Sequence, residues 1–191
     1  MVNVVACDDG VVEKLGEGYT IIACVLWSGK PLDVDLNLAK IDGLEASSII
    51  AYAITRLKSR NKLEAEALLL DSITIAGFNI ASPSTIMKLT GTPVIVTYKY
   101  KPSSSRLEDA LRKHFRDWYL RMKVLKLVDN AIEVSTRKGI VYMLTWGLEL
   151  KEAIHIIEQT QVHARIPEPL RIADMIASEA TKHLLQQLEP L

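Results

Sequence analysis

The sequence predicts an α/β domain built on a mixed sheet flanked by helices. Three observations carry this. Strand-like segments cluster at the start of the chain, whereas later ones alternate with helical patterns, the order expected of hairpin strands followed by parallel crossovers. Hydrophobic residues make up 49% of 191 residues, enough for one substantial core. Two aspartates, Asp8 and Asp71, each stand where a short apolar run stops, Val2–Cys7 before the first and Ala67–Leu70 before the second. Such runs read as buried strands, and the carboxyl ends of strands in an open α/β sheet are where ligands bind.

Taken in order, strands are expected over 2–7, 20–27 and 34–41. The third alternates with period two and is therefore half buried. Ser28-Gly29-Lys30-Pro31 supplies turn chemistry between the second and third, which makes them an antiparallel pair. Asp42-Gly43 ends the third strand and opens a helix over 44–59, with Leu44, Ile49 or Ile50, Ala53 and Leu57 on its inward stripe. A fourth strand falls near 66–73. Ser82-Pro83-Ser84 has the composition of an N-cap followed by proline in the first turn, and Gly91 that of a C-terminal stop, so a short helix lies between them. Residues 93–98 form a fifth, buried strand. A single long helix is expected over 104–126, apolar along Leu107, Ala110, Leu111, Phe115 and Trp118. A small hairpin over 131–135 and 139–146 turns at Thr136-Arg137-Lys138-Gly139, and helices over 148–160 and 169–189 follow.

This order, three antiparallel strands and then parallel ones, matches the ribonuclease H-like architecture with a small C-terminal hairpin and helices. It is expected to be one domain over 1–191, with 128–191 as a C-terminal extension packed on it. In that architecture strand one is central and strand four lies beside it, so Asp8 and Asp71 become neighbours. Two ionised carboxylates side by side repel, and a divalent cation with oxygen ligands is the usual compensation. Mg²⁺ or Mn²⁺ held by Asp8, Asp71 and the adjacent Asp9 is the expectation. Asp8-Asp9-Gly10 also has the composition of a plain turn.

Composition narrows the remaining classes. No apolar stretch approaches the roughly 20 residues of a bilayer span, and no charged segment leads into an apolar leader core. A cytoplasmic protein without membrane contact is expected. Cys7 and Cys24 lie in apolar strand segments without metal-ligand spacing and read as buried free thiols of a reducing compartment. The histidines have no zinc-ligand spacing, and no phosphate-binding glycine loop, dinucleotide fingerprint or nucleophile elbow occurs, so no nucleotide cofactor is expected. Formal net charge is zero, yet residues 99–126 carry nine basic side chains against three acidic ones. With tyrosines and tryptophan interleaved, this island has the composition of a groove that tracks a nucleic-acid strand, and equally of a solvated helix face. Lys99, Lys101, Arg112 and Arg116 are its candidate contacts, Lys99 being nearest the strand ends.

Five blocks carry a resemblance: Cys7-Asp8-Asp9-Gly10, Ile41–Ser47, Leu70–Asn79 with its Ala76-Gly77-Phe78-Asn79, Gly91–Val96, and Ile166–Ala173 with its Pro167-Glu168-Pro169-Leu170-Arg171. They resemble a largely archaeal family, the domain of unknown function 99, which is similar in turn to endonuclease V, a metal-dependent nuclease of ribonuclease H-like fold that cuts near deaminated bases. The resemblance implies acidic ligands at Asp8 and Asp71 and a third, a glutamate near the start of the first helix. Ser48 stands at that position here, and Asp42 and Glu45 are the nearest acids. Glu45 is taken as the catalytic candidate, although an acid in a first helical turn is favoured by the helix dipole in any case. Asn79 is a candidate to orient a phosphate or a water, and Phe78 a core plug.

The expected activity is thus that of a divalent-metal-dependent endonuclease or phosphodiesterase acting on nucleic acid. The alternatives are a nucleic-acid-binding protein of the same fold with reduced catalysis, or a scaffold whose basic helix docks an acidic protein.

Overall fold

A computed structural model of the chain describes residues 1–12 and 14–188. Its centre is a seven-stranded sheet made of β1 (Asn3–Asp9), β2 (Tyr19–Ser28), β3 (Pro31–Lys40), β4 (Ala67–Leu70), β7 (Val94–Tyr98), β8 (Ile132–Thr136) and β9 (Gly139–Trp146). The spatial order is β3-β2-β1-β4-β7-β9-β8. The first three strands form an antiparallel meander, β1, β4 and β7 run parallel, and the β8–β9 hairpin pairs antiparallel with β7 to complete the same sheet. This is the mixed ribonuclease H-like sheet that the element order predicts.

Strand alternation sorts the core into two layers. Val5, Cys7, Ile22, Leu26, Leu68 and Leu70 face α1 (Ala46–Asn61), whose Ile50, Ala53, Ile54 and Leu57 are fully buried against them. Val4, Ala6, Leu69 and Ile95 face the other way, towards α5 (Leu150–Thr160) and α6 (Glu168–Leu188). Leu44, expected on the inward stripe of the first helix, is 71% exposed because the helix starts only at Ala46. The short α2 (Pro83–Thr90) has the expected ends: the Ser82 hydroxyl accepts from Thr85 N–H, and Gly91 closes the helix in the left-handed conformation.

Three features depart from expectation. The 104–126 segment is two helices, α3 (Ser105–His114) and α4 (Trp118–Leu125), because Phe115 adopts an extended backbone between them. The break turns Phe115 onto Phe78, with ring centroids 5.4 Å apart, and lets Arg121 enter the interior. A small hairpin of β5 (Thr74–Ile75) and β6 (Asn79–Ile80) follows β4, in a segment to which the sequence pattern assigns no element. Finally, Cys7 and Cys24 are not free thiols. They are directly opposed in the β1–β2 ladder, their Cα atoms 4.1 Å apart, and form a disulfide. Pairing across antiparallel strands has no sequence spacing by which it could be read, and it removes the thiol argument for a reducing compartment. Among the described residues no helix is long and apolar enough to cross a membrane. Glu189, the expected end of the last helix, lies outside the described residues.

Candidate metal centre and its cleft

β1 and β4 are in parallel register from Val4↔Ala67 to Ala6↔Leu69. Carried two residues on, this register sets Asp8 opposite Asp71, both on the face that α6 covers. Neighbouring strands lie about 4.8 Å apart, so the two carboxylates are adjacent by construction. β7 continues the row: Leu70 pairs with Val96, which sets Thr97 beside Asp71.

α6 closes the site from above. Its Thr181 hydroxyl accepts from Ile21 N–H at 2.9 Å and meets the Thr20 hydroxyl at 3.1 Å. It packs so closely that a side chain at Gly10 would overlap Thr181 and the Ala177 carbonyl. Seated this way, the helix brings Asp174 and Arg171 over the strand ends. Asp8, Asp9, Asp71, Ala164, Ile166, Leu170, Arg171 and Asp174 line one cleft of about 520 Å³.

Its electrostatics are those of crowded acids. Burial raises the Asp8 carboxyl far above its ordinary range, and the Asp71, Asp9 and Asp174 carboxylates add to that. Asp71 is raised by burial and by Asp174. Asp9 is pushed up to about 6, chiefly by burial, with the Ala76 N–H that donates to it at 2.8 Å pulling the other way. Arg171 does not neutralise them, because its guanidinium is engaged by Glu168, whose carboxylate accepts two hydrogen bonds from Nε at 3.2 Å and one from Nη2.

The other sequence candidates fall elsewhere. Glu45 accepts the backbone N–H groups of Lys40 and Leu44, each at 2.8 Å, and so braces the turn into α1 rather than facing the cleft. Asn79 is fully buried; its Oδ1 accepts from Ala46 N–H at 3.0 Å and its Nδ2 donates to the Lys40 carbonyl, so it caps α1 from a distant strand. Asp42, in the left-handed conformation, accepts from Gly16 N–H and Phe78 N–H, both at 2.6 Å. Arg121 donates to the carbonyls of Asp42, Gly43 and Phe78 and pins that corner. The Gly77-Phe78-Asn79 block therefore locks the β3–α1 corner, and Gly77, at φ +78° against the Asp42 carboxylate, has no room for a side chain. Arg112 of α3 pairs with Glu108 and stacks 3.8 Å over Trp118 of α4, and Arg116 is exposed in the α3–α4 break, neither at the cleft. Lys99 and Lys101 lie beside it: with Thr97, Tyr98, Tyr100 and Pro102 they line a second cleft of about 450 Å³ that shares Asp71 and Ile166 with the first.

Asp174 and Thr97 escaped the sequence reading. The signal for Asp174 was an acid abutting the apolar stripe of the last helix, four residues past Leu170 and three before Ala177. That for Thr97 was weaker, a hydroxyl inside an apolar strand.

Carboxylate oxygens without nitrogen or sulfur partners suit a hard divalent cation. Among the described residues, no group of three or more acidic, histidine or cysteine side chains already stands in chelating geometry. The acids share a cleft and repel one another, which is the arrangement a cation relieves.

The fold is that of the ribonuclease H-like proteins, and known chains of the same fold agree. Endonuclease V from Bacillus subtilis superposes with a TM-score of 0.58 at 12% identity, covering 99% of this chain and 84% of that one. Endonuclease V from Ciona intestinalis, solved with a 24mer DNA containing an inosine followed by a ribo-adenosine, gives 0.54 at 16%, covering 98% and 87%. A protein of unknown function from Archaeoglobus fulgidus gives 0.80 at 24% identity, covering 94% and 98%. The UPF0215 protein of Aeropyrum pernix is 46% identical over 184 residues, 93% of this chain and 97% of its own length. A model of the family described as endonuclease dU matches residues 1–181, and the chain belongs to that family.

Proposed function

We propose that the protein is a divalent-cation-dependent nuclease that cuts the phosphodiester backbone of DNA beside a deaminated base, with deoxyuridine the substrate to which the family description points. The observation that carries this is the placement of Asp8 and Asp71 side by side at the ends of adjacent parallel strands, with Asp174 facing them across one cleft. Asp8, Asp71 and Asp174 would hold Mg²⁺ or Mn²⁺. The bound cation would lower the pKa of a water and stabilise the leaving oxygen. The chain's own part is to fix Asp8 and Asp71 at strand ends and Asp174 on α6, to keep Arg171 engaged with Glu168, and to present Lys99 to a phosphate at the same edge. Asp9 lines the same cleft but is engaged by Ala76 N–H, and its part is to orient the strand end.

The absence of a ready-made three-ligand group among the described residues favours a second reading, a nucleic-acid binder of this fold without turnover. One experiment separates them. Cleavage of a deoxyuridine-containing duplex in Mn²⁺, lost in Asp71→Asn while binding persists, supports the nuclease; salt-sensitive binding with no cleavage under any divalent cation supports the binder.

A further inference from the structure

The second cleft has features that the metal site does not use. Thr97, on its floor beside Asp71, is fully buried, and its hydroxyl has no hydrogen-bond partner among the described residues. A buried hydroxyl left unpaired is costly, so a group that enters the cleft and pairs with it recovers that cost. Around the mouth, Tyr100 is 70% exposed, with the Lys99 ammonium 5.5 Å and the Arg165 guanidinium 5.8 Å from its ring centroid. Lys101 adds a further positive charge. An aromatic face among cations, over an unsatisfied hydroxyl and against a carboxylate that faces a metal site, has the chemistry to hold a base and its phosphate together.

We propose that this cleft is a nucleotide subsite, resting on the nuclease reading above, which takes one unpaired nucleotide next to the cut phosphodiester. The base stacks on Tyr100, the phosphate lies between Lys99 and Lys101, and the Thr97 hydroxyl donates to the phosphate oxygen that reaches the floor. The preferred substrate therefore has a locally unpaired strand on this side of the scissile bond. Fully paired duplex cannot present a base face to Tyr100.

Binding of a fluorescein-labelled thymidine 10-mer and of a fully paired duplex, both in EDTA, tests this, with thermal melting to verify that each variant is folded. Tyr100→Ala weakens single-strand binding by about tenfold and leaves the duplex within about twofold. Thr97→Val, which keeps the shape of the side chain, weakens it by about three- to tenfold, and Thr97→Ser restores it. Wild-type affinity for the single strand in both Tyr100→Ala and Thr97→Val overturns the subsite, as does an equal loss on duplex and single strand. If the wild-type protein neither binds nor cuts any strand, the nuclease reading falls as well; if it cuts in Mn²⁺ while these variants bind normally, only the subsite falls.

Discussion

Asp174 lies two helical turns before Thr181 on the same face of α6, so the hydrogen bond that Ile21 N–H donates to Thr181 fixes where the Asp174 carboxylate stands over Asp8 and Asp71. Helix docking and site assembly are therefore one event. Gly10→Ala forces α6 away from β1 and is expected to cost about 1–3 kcal/mol, as overpacking of a tight contact does. Urea unfolding would register that loss, and Mn²⁺-dependent cleavage should fall with it.

Asp174→Asn leaves the fold intact, because the side chain is exposed at the cleft rim. It removes one negative charge facing Asp8 and Asp71, so Mn²⁺ affinity measured by calorimetry should drop by about tenfold or more, as expected when an ionised ligand is lost. An unchanged affinity would remove Asp174 from the proposed ligand set.

The acids also set a pH dependence. Asp8, Asp9 and Asp71 have folded pKa values raised above their unfolded values, Asp9 to about 6. The native state then binds more protons than the unfolded state from about pH 4 to pH 6, and through Asp8 on to about pH 9, so metal-free stability from these groups is full below about pH 4 and declines as pH rises through that range. Divalent cation should reverse the trend. In melting experiments Mg²⁺ or Mn²⁺ should raise the transition temperature clearly at pH 7.5 and hardly at pH 4.5, where the carboxyls are protonated.

Arg121 is 5% exposed and donates to three backbone carbonyls and to Asp117. Arg121→Met strands those acceptors in the interior and should destabilise by about 3 kcal/mol or more. Arg112→Met, at an exposed pair on the preceding helix, should cost under about 1 kcal/mol. Denaturation of the two variants side by side tests the contrast.

Reducing the Cys7–Cys24 bond, or replacing both residues with alanine, should lower stability by about 3 kcal/mol through loss of a short-loop crosslink. Because the bond sits one residue before Asp8, amide hydrogen exchange in β1 and β2 should rise in the reduced protein before it does in β7.

Much of the fold was legible because its strands are either continuous apolar runs or clean alternations, and because Ser82, Pro83 and Gly91 carry their signals locally. Asp8 and Asp71 could be paired from sequence since both end such runs. What could not be read depends on contacts distant in the chain. Phe115 breaks a sequence with good helical pattern because Phe78 offers it a partner. Asn79 and Glu45 look like site residues by motif and position, yet one caps α1 and the other braces the turn before it. Asp174 joins the acids only through the docking of α6, which depends on a glycine and a threonine at opposite ends of the sequence.

The cleft draws one acid from the first strand and another from the last helix. Neither element crowds the carboxylates alone; the repulsion among them arises only when β1 and α6 are held together.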